Sequence, residues 1–388
     1  MRKTNDLGLN KSFKFKNYLN YTVILAVLAV LMILQFTGAA GTDFNYKIMP
    51  IVIPIGVYVI LALSLNMVVG FLGELSLGHA GFMCIGAFVG GKIASLLDTG
   101  DNANISVMLI ALILGGLCAA LFGFIVGLPA LRLRGDYLAI VTLAFNMIIT
   151  DVIKEIPFFA KGSNLPTPSL KDEYNYIIIF AIILITLAVI QNFARSKHGR
   201  AIMSIRDNEI AARTMGINIV KYKLTVFTIS AFFAGIAGVL WSYYQPGINY
   251  EMFKYNVSIE ILVMVVLGGM GSVNGSILAA ALITFINNYG KFSEESFAPY
   301  RTVLYALILI IVVIYRNAPG LKGFREKYNM KDLFAKIFKK KTSQEKLEDI
   351  ADKETKKSEK SDKKEQKLSN KVSKKAAKSA KNAKKEDR

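Results

Sequence analysis

The chain has 388 residues, 53% of them hydrophobic, and 47 Lys/Arg against 28 Asp/Glu give it a formal charge of +19. Its mean hydropathy of +0.41 lies beyond that of an ordinary soluble domain. The basicity sits at the ends: residues 339–388 hold 19 Lys/Arg against 10 Asp/Glu, and the first twenty hold five against one, which argues against a nucleic-acid-binding core.

Apolar runs able to cross about 30 Å of hydrocarbon recur along the chain, so the fold class is all-α, a polytopic helical membrane protein. A basic segment, 1–20, precedes a membrane domain spanning 21–316, and a basic tail fills 317–388. The first run, 21–39, is too long for the core of a cleaved signal peptide and is followed by further spans, so it reads as an uncleaved helix. Helices are expected over about 48–69, 78–97, 105–130, 136–153, 176–194 and 222–243, the last ending in an aromatic belt of Trp241, Tyr243 and Tyr244. Three more spans after residue 258 bring the count to about ten and place every Lys/Arg-rich loop, with both termini, on the cytoplasmic side. From about Lys339 the tail is Lys/Glu/Ser/Ala-rich and nearly free of aromatics, the composition of a disordered extension that anionic lipid headgroups attract.

Two stretches interrupt this pattern. GFLGELSLGHAG separates the helices over 48–69 and 78–97, and the run Ile259–Gly268, too short to cross alone, leads into GGMGSVNG. Two readings stand: tight interhelical turns, or unwound segments facing a translocation path, since broken backbone at membrane depth survives only when buried in protein or lining a cavity. Candidate path residues are the polar and ionisable groups near these breaks and within the spans: Asn66, Glu74, Ser76, His79, Asn146, Asp151 and Glu260, with Gly268, Gly269 and Gly271. Asp151 has an equally good reading as a solvated group near the outer surface.

Catalytic signatures are missing. The sequence has no Gly-x4-Gly-Lys-Ser/Thr phosphate loop and no Gly-x-Ser-x-Gly elbow, and the run from Gly269 to Gly275 has the wrong spacing for a dinucleotide fingerprint. His79 and His198 lack metal-ligand spacing, and Cys84 and Cys118 read as small apolar residues inside helices. No enzyme activity, metal or cofactor is expected of this chain.

The polar island from Arg195 to Lys223 carries seven Lys/Arg against two acids. Within it Asp207 suits an N-cap, Glu209 and Arg213 are an i, i+4 pair, and Gly216 suits the position after the helix end. A helix of about two turns is too short to stand alone and must be braced. Ala211, Ala212 and Met215 form a low face on which a partner's backbone could seat; the competing reading is an amphipathic turn lying on lipid.

Glu209-Ile-Ala-Ala-Arg-Thr-Met-Gly216 resembles the coupling motif of ABC importer permeases. LSLNMVVGFLGELSLGHAGF (62–82), LPALRLRGDYLAIVTLAF (128–145), GRAIMSIRDNEIAARTMGI (199–217), YKLTVFTISAFFAGIAGVL (222–240), SIEILVMVVLGGMGSVNG (258–275) and RNAPGLKG (316–323) are similar to the LivM-type branched-chain amino acid permeases, in the family's order. The resemblance implies an ABC importer permease of a prokaryotic cell membrane. It further implies a LivH-like permease partner, two ABC ATPase subunits that hold ATP and Mg, and an extracytoplasmic substrate-binding protein. It assigns ATPase coupling to Arg200, Arg206, Asp207, Glu209, Ile210, Ala211, Ala212 and Gly216, and transport of leucine, isoleucine or valine to the complex. Ala144–Met147 and AKGSNLPTPS (160–169) depart from the family's pattern, and related permeases carry urea, short amides or other small solutes. A stand-alone carrier or channel is the competitor from another class; it would want carboxylates deeper in the spans.

Overall fold

A computed structural model describes residues 49–97, 104–133, 135–162, 165–167 and 172–289, with the isolated positions 24 and 307. The expected first helix, the span near 302–315, the two terminal segments and the Lys-rich tail lie outside the described residues.

Ten helices follow one another in this region: α1 (Met49–Asn66), α2 (His79–Leu97), α3 (Ile105–Ala130), α4 (Asp136–Glu155), α5 (Asp172–Arg195), α6 (Lys197–Asp207), α7 (Glu209–Thr214), α8 (Ile219–Tyr244), α9 (Tyr255–Gly268) and α10 (Val273–Tyr289). Six of them are long and apolar enough to cross a membrane: α1 with a π-helical continuation, α2, α3, α4, α5 and α8. α9 has 14 residues and so rises about 21 Å, short of a bilayer's hydrocarbon. Among the described residues the β-structure is a two-residue antiparallel ladder, β1 (Leu165–Pro166) with β2 (Gly247–Ile248). The Thr167 hydroxyl lies 2.6 Å from the Ser242 carbonyl and 2.8 Å from that of Gln245, which ties this ladder to the end of α8.

The centre is α8 packed between α2 and α3, and small residues make it possible. Lipid tails are as apolar as leucine, so helices in a bilayer associate through close packing rather than through hydrophobic exclusion from water. α3 supplies Gly115, Ala119, Gly123 and Gly127, four positions spaced by four, as a buried stripe. Against it lie Val239, Gly235, Ala231 and Leu224 of α8, in antiparallel order. A side chain at Gly86 of α2 would collide with the Gly235 backbone, and one at Gly238 with the Met83 carbonyl, so the two backbones touch. The opposite face of α3 leaves Leu109, Ile113, Leu117, Leu121, Ile125 and Leu128 exposed, as a lipid-facing surface requires.

Tyr243 is not part of an aromatic belt: it is buried in the core, while Trp241 and Tyr244 stay partly exposed and pair with ring centroids 5.5 Å apart. An i, i+2 step along a helix turns about 200°, so Trp241 and Tyr243 cannot share one face.

Candidate functional site

Both interruptions are real breaks in helical geometry, and they meet. α1 ends in a π-helical turn, Met67–Leu72, closed by Gly73 at φ +80°. Five further residues without helical structure lead to His79, where α2 begins. On the other side, α9 stops at Gly268 and the chain turns through Gly269 (φ +99°) and Gly271 (φ +80°) before α10. The Gly271 N–H donates to Asn66 Oδ1 at 2.8 Å. A side chain on Gly70 would strike the Gly271 backbone, so the two broken segments lie backbone to backbone.

Above this junction five helices contribute a buried polar cluster. His79 Nε2 lies 3.1 Å from both Ser64 Oγ and Ser230 Oγ. Each serine hydroxyl already donates to a carbonyl, Ser64 to Leu61 at 2.8 Å and Ser230 to Ser64 at 2.6 Å. A hydroxyl has one proton, so the hydrogen between the ring and the serines belongs to Nε2. Ser258 Oγ of α9 caps α2 by accepting from Ala80 N at 2.9 Å and lies 3.5 Å from Asn146 Nδ2 of α4. Leu77 N donates to Thr142 Oγ1 at 2.9 Å. His79 Nδ1, Asn146 Oδ1, Ser76 Oγ and Asn66 Nδ2 are buried without a hydrogen-bond partner in the chain. Among the described residues no three His, Cys, Asp or Glu side chains gather where a metal could be held.

Below the junction sits the polar island, folded as α6 and α7. Ser196 caps α6 by accepting from Gly199 N at 3.2 Å. Asp207, expected as the N-cap of the next helix, is instead the last residue of α6 and pairs with Arg206 at 3.1 Å. The cap is its neighbour Asn208, whose Oδ1 accepts from Ala211 N at 3.0 Å. α7 carries the i, i+4 pair Glu209–Arg213 at 3.2 Å, and Gly216 follows its end at φ +79°. Ala212 does not belong to an outward face: it is 3% exposed, packed with Ile205 and Ile219. The outward apolar residues are Ile210 and Met215, 77% and 82% exposed, with Ala211 beside them. Arg200 reaches back to the Arg195 carbonyl at 3.0 Å, whereas Arg206 Nη1 donates to the Gly70 carbonyl at 2.9 Å, inside the first break.

Residues 48–313 match the family model described as "Branched-chain amino acid transport system / permease component". The chain belongs to this family. It is 33% identical over 313 residues to the high-affinity branched-chain amino acid transport system permease protein LivM of Escherichia coli, covering 72% of this chain and 71% of that one. The probable LivM of Methanocaldococcus jannaschii is 25% identical over 316 residues, 69% of this chain and 90% of its own. The ribose import permease protein RbsC of Escherichia coli is 26% identical over 262 residues, 60% of this chain and 74% of its own. No solved structure matches. The helical architecture is therefore that of a polytopic ABC importer permease, a transport component embedded in a membrane.

In this permease the expected path residues divide into two groups. His79 and Asn146 are buried in the cluster, while Asn66, Glu74, Ser76, Gly268, Gly269 and Gly271 lie on or join the breaks. Asp151 is exposed on α4, and Glu260 bonds Asn287 of α10, so neither joins them. Sequence reasoning missed Ser64, Thr142, Ser230, Ser258 and Lys223. The serines carried no signal beyond being small and polar inside apolar runs; Lys223 did, as the last cation of a basic island sitting one turn into a membrane helix.

Proposed function

We propose that this permease forms, with a LivH-like permease subunit, the translocation path of an ATP-driven importer for leucine, isoleucine and valine. Two ABC ATPase subunits bind and hydrolyse ATP with Mg, an extracytoplasmic binding protein delivers the solute, and this chain holds no cofactor of its own. Both termini and the α6–α7 loop lie in the cytoplasm, following the Lys/Arg bias of the loops.

The observation that carries the coupling role is the surface of α7. A six-residue helix has no stability of its own, yet this one is capped at Asn208 and anchored by Ala212. It presents Ile210, Ala211 and Met215 to solvent rather than to the rest of the chain. Exposed apolar side chains on a polar loop fit a groove on a soluble partner. Dimerisation of the ATPases on ATP would displace α7, and the breaks above it would open or close the path. Asn66, Ser76, His79 and Asn146 are the polar groups this path would expose, since each keeps an unsatisfied atom.

The substrate assignment rests on likeness to proteins named for branched-chain amino acid transport. The likeness to a ribose permease favours, as a second reading, the same machine carrying another small solute. The deciding experiment purifies the complex that assembles around this chain and measures its ATP hydrolysis with the cognate binding protein and each candidate solute. Stimulation by leucine, isoleucine or valine supports the assignment; stimulation by urea, an amide or ribose alone rejects it.

A further inference from the structure

We infer that Lys223 is a positioning residue that ties the ATPase-docking helix to the first break in the membrane helices, and that transport requires both of its ties. This deepens the coupling role proposed for α7 and rests on it.

Lys223 lies in the first turns of α8, and its side chain is 5% exposed. Its ammonium contacts Glu74, which is 12% exposed and stands between the π-helical turn and α2. The same ammonium lies 3.5 Å from Glu209 Oε2, and Glu209 is the first residue of α7. One cation thus bridges a carboxylate on the docking helix and a carboxylate on the broken segment, two places 135 residues apart in sequence. The second carboxylate oxygen of Glu74 is buried with no partner, so Lys223 is what holds this side chain in place.

A second contact acts in parallel. Arg206, at the end of α6, donates to the Gly70 carbonyl at 2.9 Å, and its stem fills the space where a side chain on Gly73 would stand. The docking loop therefore holds the first break at two points, directly at Gly70 and through Lys223 at Glu74. The break in turn touches the second one through Asn66 and Gly271. An ammonium shared by two carboxylates can follow either of them. Movement of α7 must stretch the Glu209 contact or pull Lys223, and pulling Lys223 off Glu74 would strand a largely buried carboxylate, which is costly.

The alternative is that the trio merely neutralises buried charge, and the two roles separate experimentally. The complete complex is purified with its co-expressed partners, reconstituted in liposomes and tested with its binding protein and leucine. Glu209→Gln, Lys223→Met and the double variant Glu74→Gln/Lys223→Met are compared for assembly, thermal midpoint, basal and stimulated ATP hydrolysis, and uptake. The double variant leaves no unpaired buried charge, so it assembles and melts like wild type, yet its stimulated-to-basal ratio and its uptake fall about tenfold. Glu209→Gln keeps the Glu74 tie but cuts the one to α7, and it lowers the stimulated-to-basal ratio and uptake in the same way.

Recovery of both stability and uptake in the double variant overturns the inference, because neutralising charge would then have been the whole role. Uptake within about twofold of wild type in Glu209→Gln overturns it as well, because the tie to α7 would then be dispensable. So does failure of the double variant to assemble, which makes the trio structural. Ile210→Asp, run alongside, tests α7 itself: normal assembly and uptake in that variant sinks the docking role and this inference with it.

Discussion

Two neighbouring residues in α7, Ile210 and Ala212, have opposite surroundings, and substitution by aspartate separates them. Ala212→Asp puts a charge among Ile205 and Ile219 with no partner, and should cost about 3 kcal/mol or more, read as easier proteolysis between residues 195 and 223. Ile210→Asp adds charge to an exposed position and should change stability by about 0.5 kcal/mol or less, yet it should abolish co-purification of the ATPase. The caps divide in the same way. Asn208→Ala removes the bond to Ala211 N and should cost about 1 kcal/mol of local helix stability, measured by hydrogen exchange across α7. Asp207→Ala breaks only an exposed pair and should be near neutral by the same measurement. Both residues are good N-caps by type, which is why composition alone put the cap one position early. The backbone decides it: Asn208 is extended (φ −158°, ψ 101°), as an N-cap must be, while Asp207 is still the last helical residue of α6.

At the scale of elements, the α2–α3–α8 core depends on backbones close enough that a methyl group does not fit. Gly238→Leu, aimed at the Met83 carbonyl, should sharply lower the folded yield in membranes by fluorescence-detected size exclusion. Leu121→Ala, on the lipid face of α3, should leave that yield unchanged. The long helices were legible because a bilayer demands a near-continuous apolar run, and the bounds of α2 and α3 follow their runs closely. The breaks were legible as glycine-rich gaps but not as neighbours. Nothing in the local pattern of 66–78 or 268–275 says that Asn66 bonds Gly271, because that contact joins segments 205 residues apart. The same limit hid Ser64, Ser230 and Ser258, which become a cluster only once five helices are bundled. Lys223 read as one more cation keeping a loop cytoplasmic, and its two carboxylate partners come from different elements.

For the whole molecule, the orientation and the role of the tail are the claims with most at stake. With Cys84 and Cys118 replaced, a cysteine at position 210 should react with a membrane-impermeant thiol reagent only from the cytoplasmic face, and one at exposed Glu251 only from the other. Deletion of the chain after about Lys341, a composition that cannot bury a core, should leave uptake nearly unchanged at normal membrane levels. Coupling of ATP hydrolysis by docked subunits to solute movement is tested by uptake of radiolabelled leucine into proteoliposomes holding the full complex and its binding protein. Accumulation should require ATP and the binding protein and should vanish with Ile210→Asp. Accumulation that proceeds without ATP, driven by an ion gradient, or that survives loss of the ATPase subunits, would rule out an ATP-driven importer.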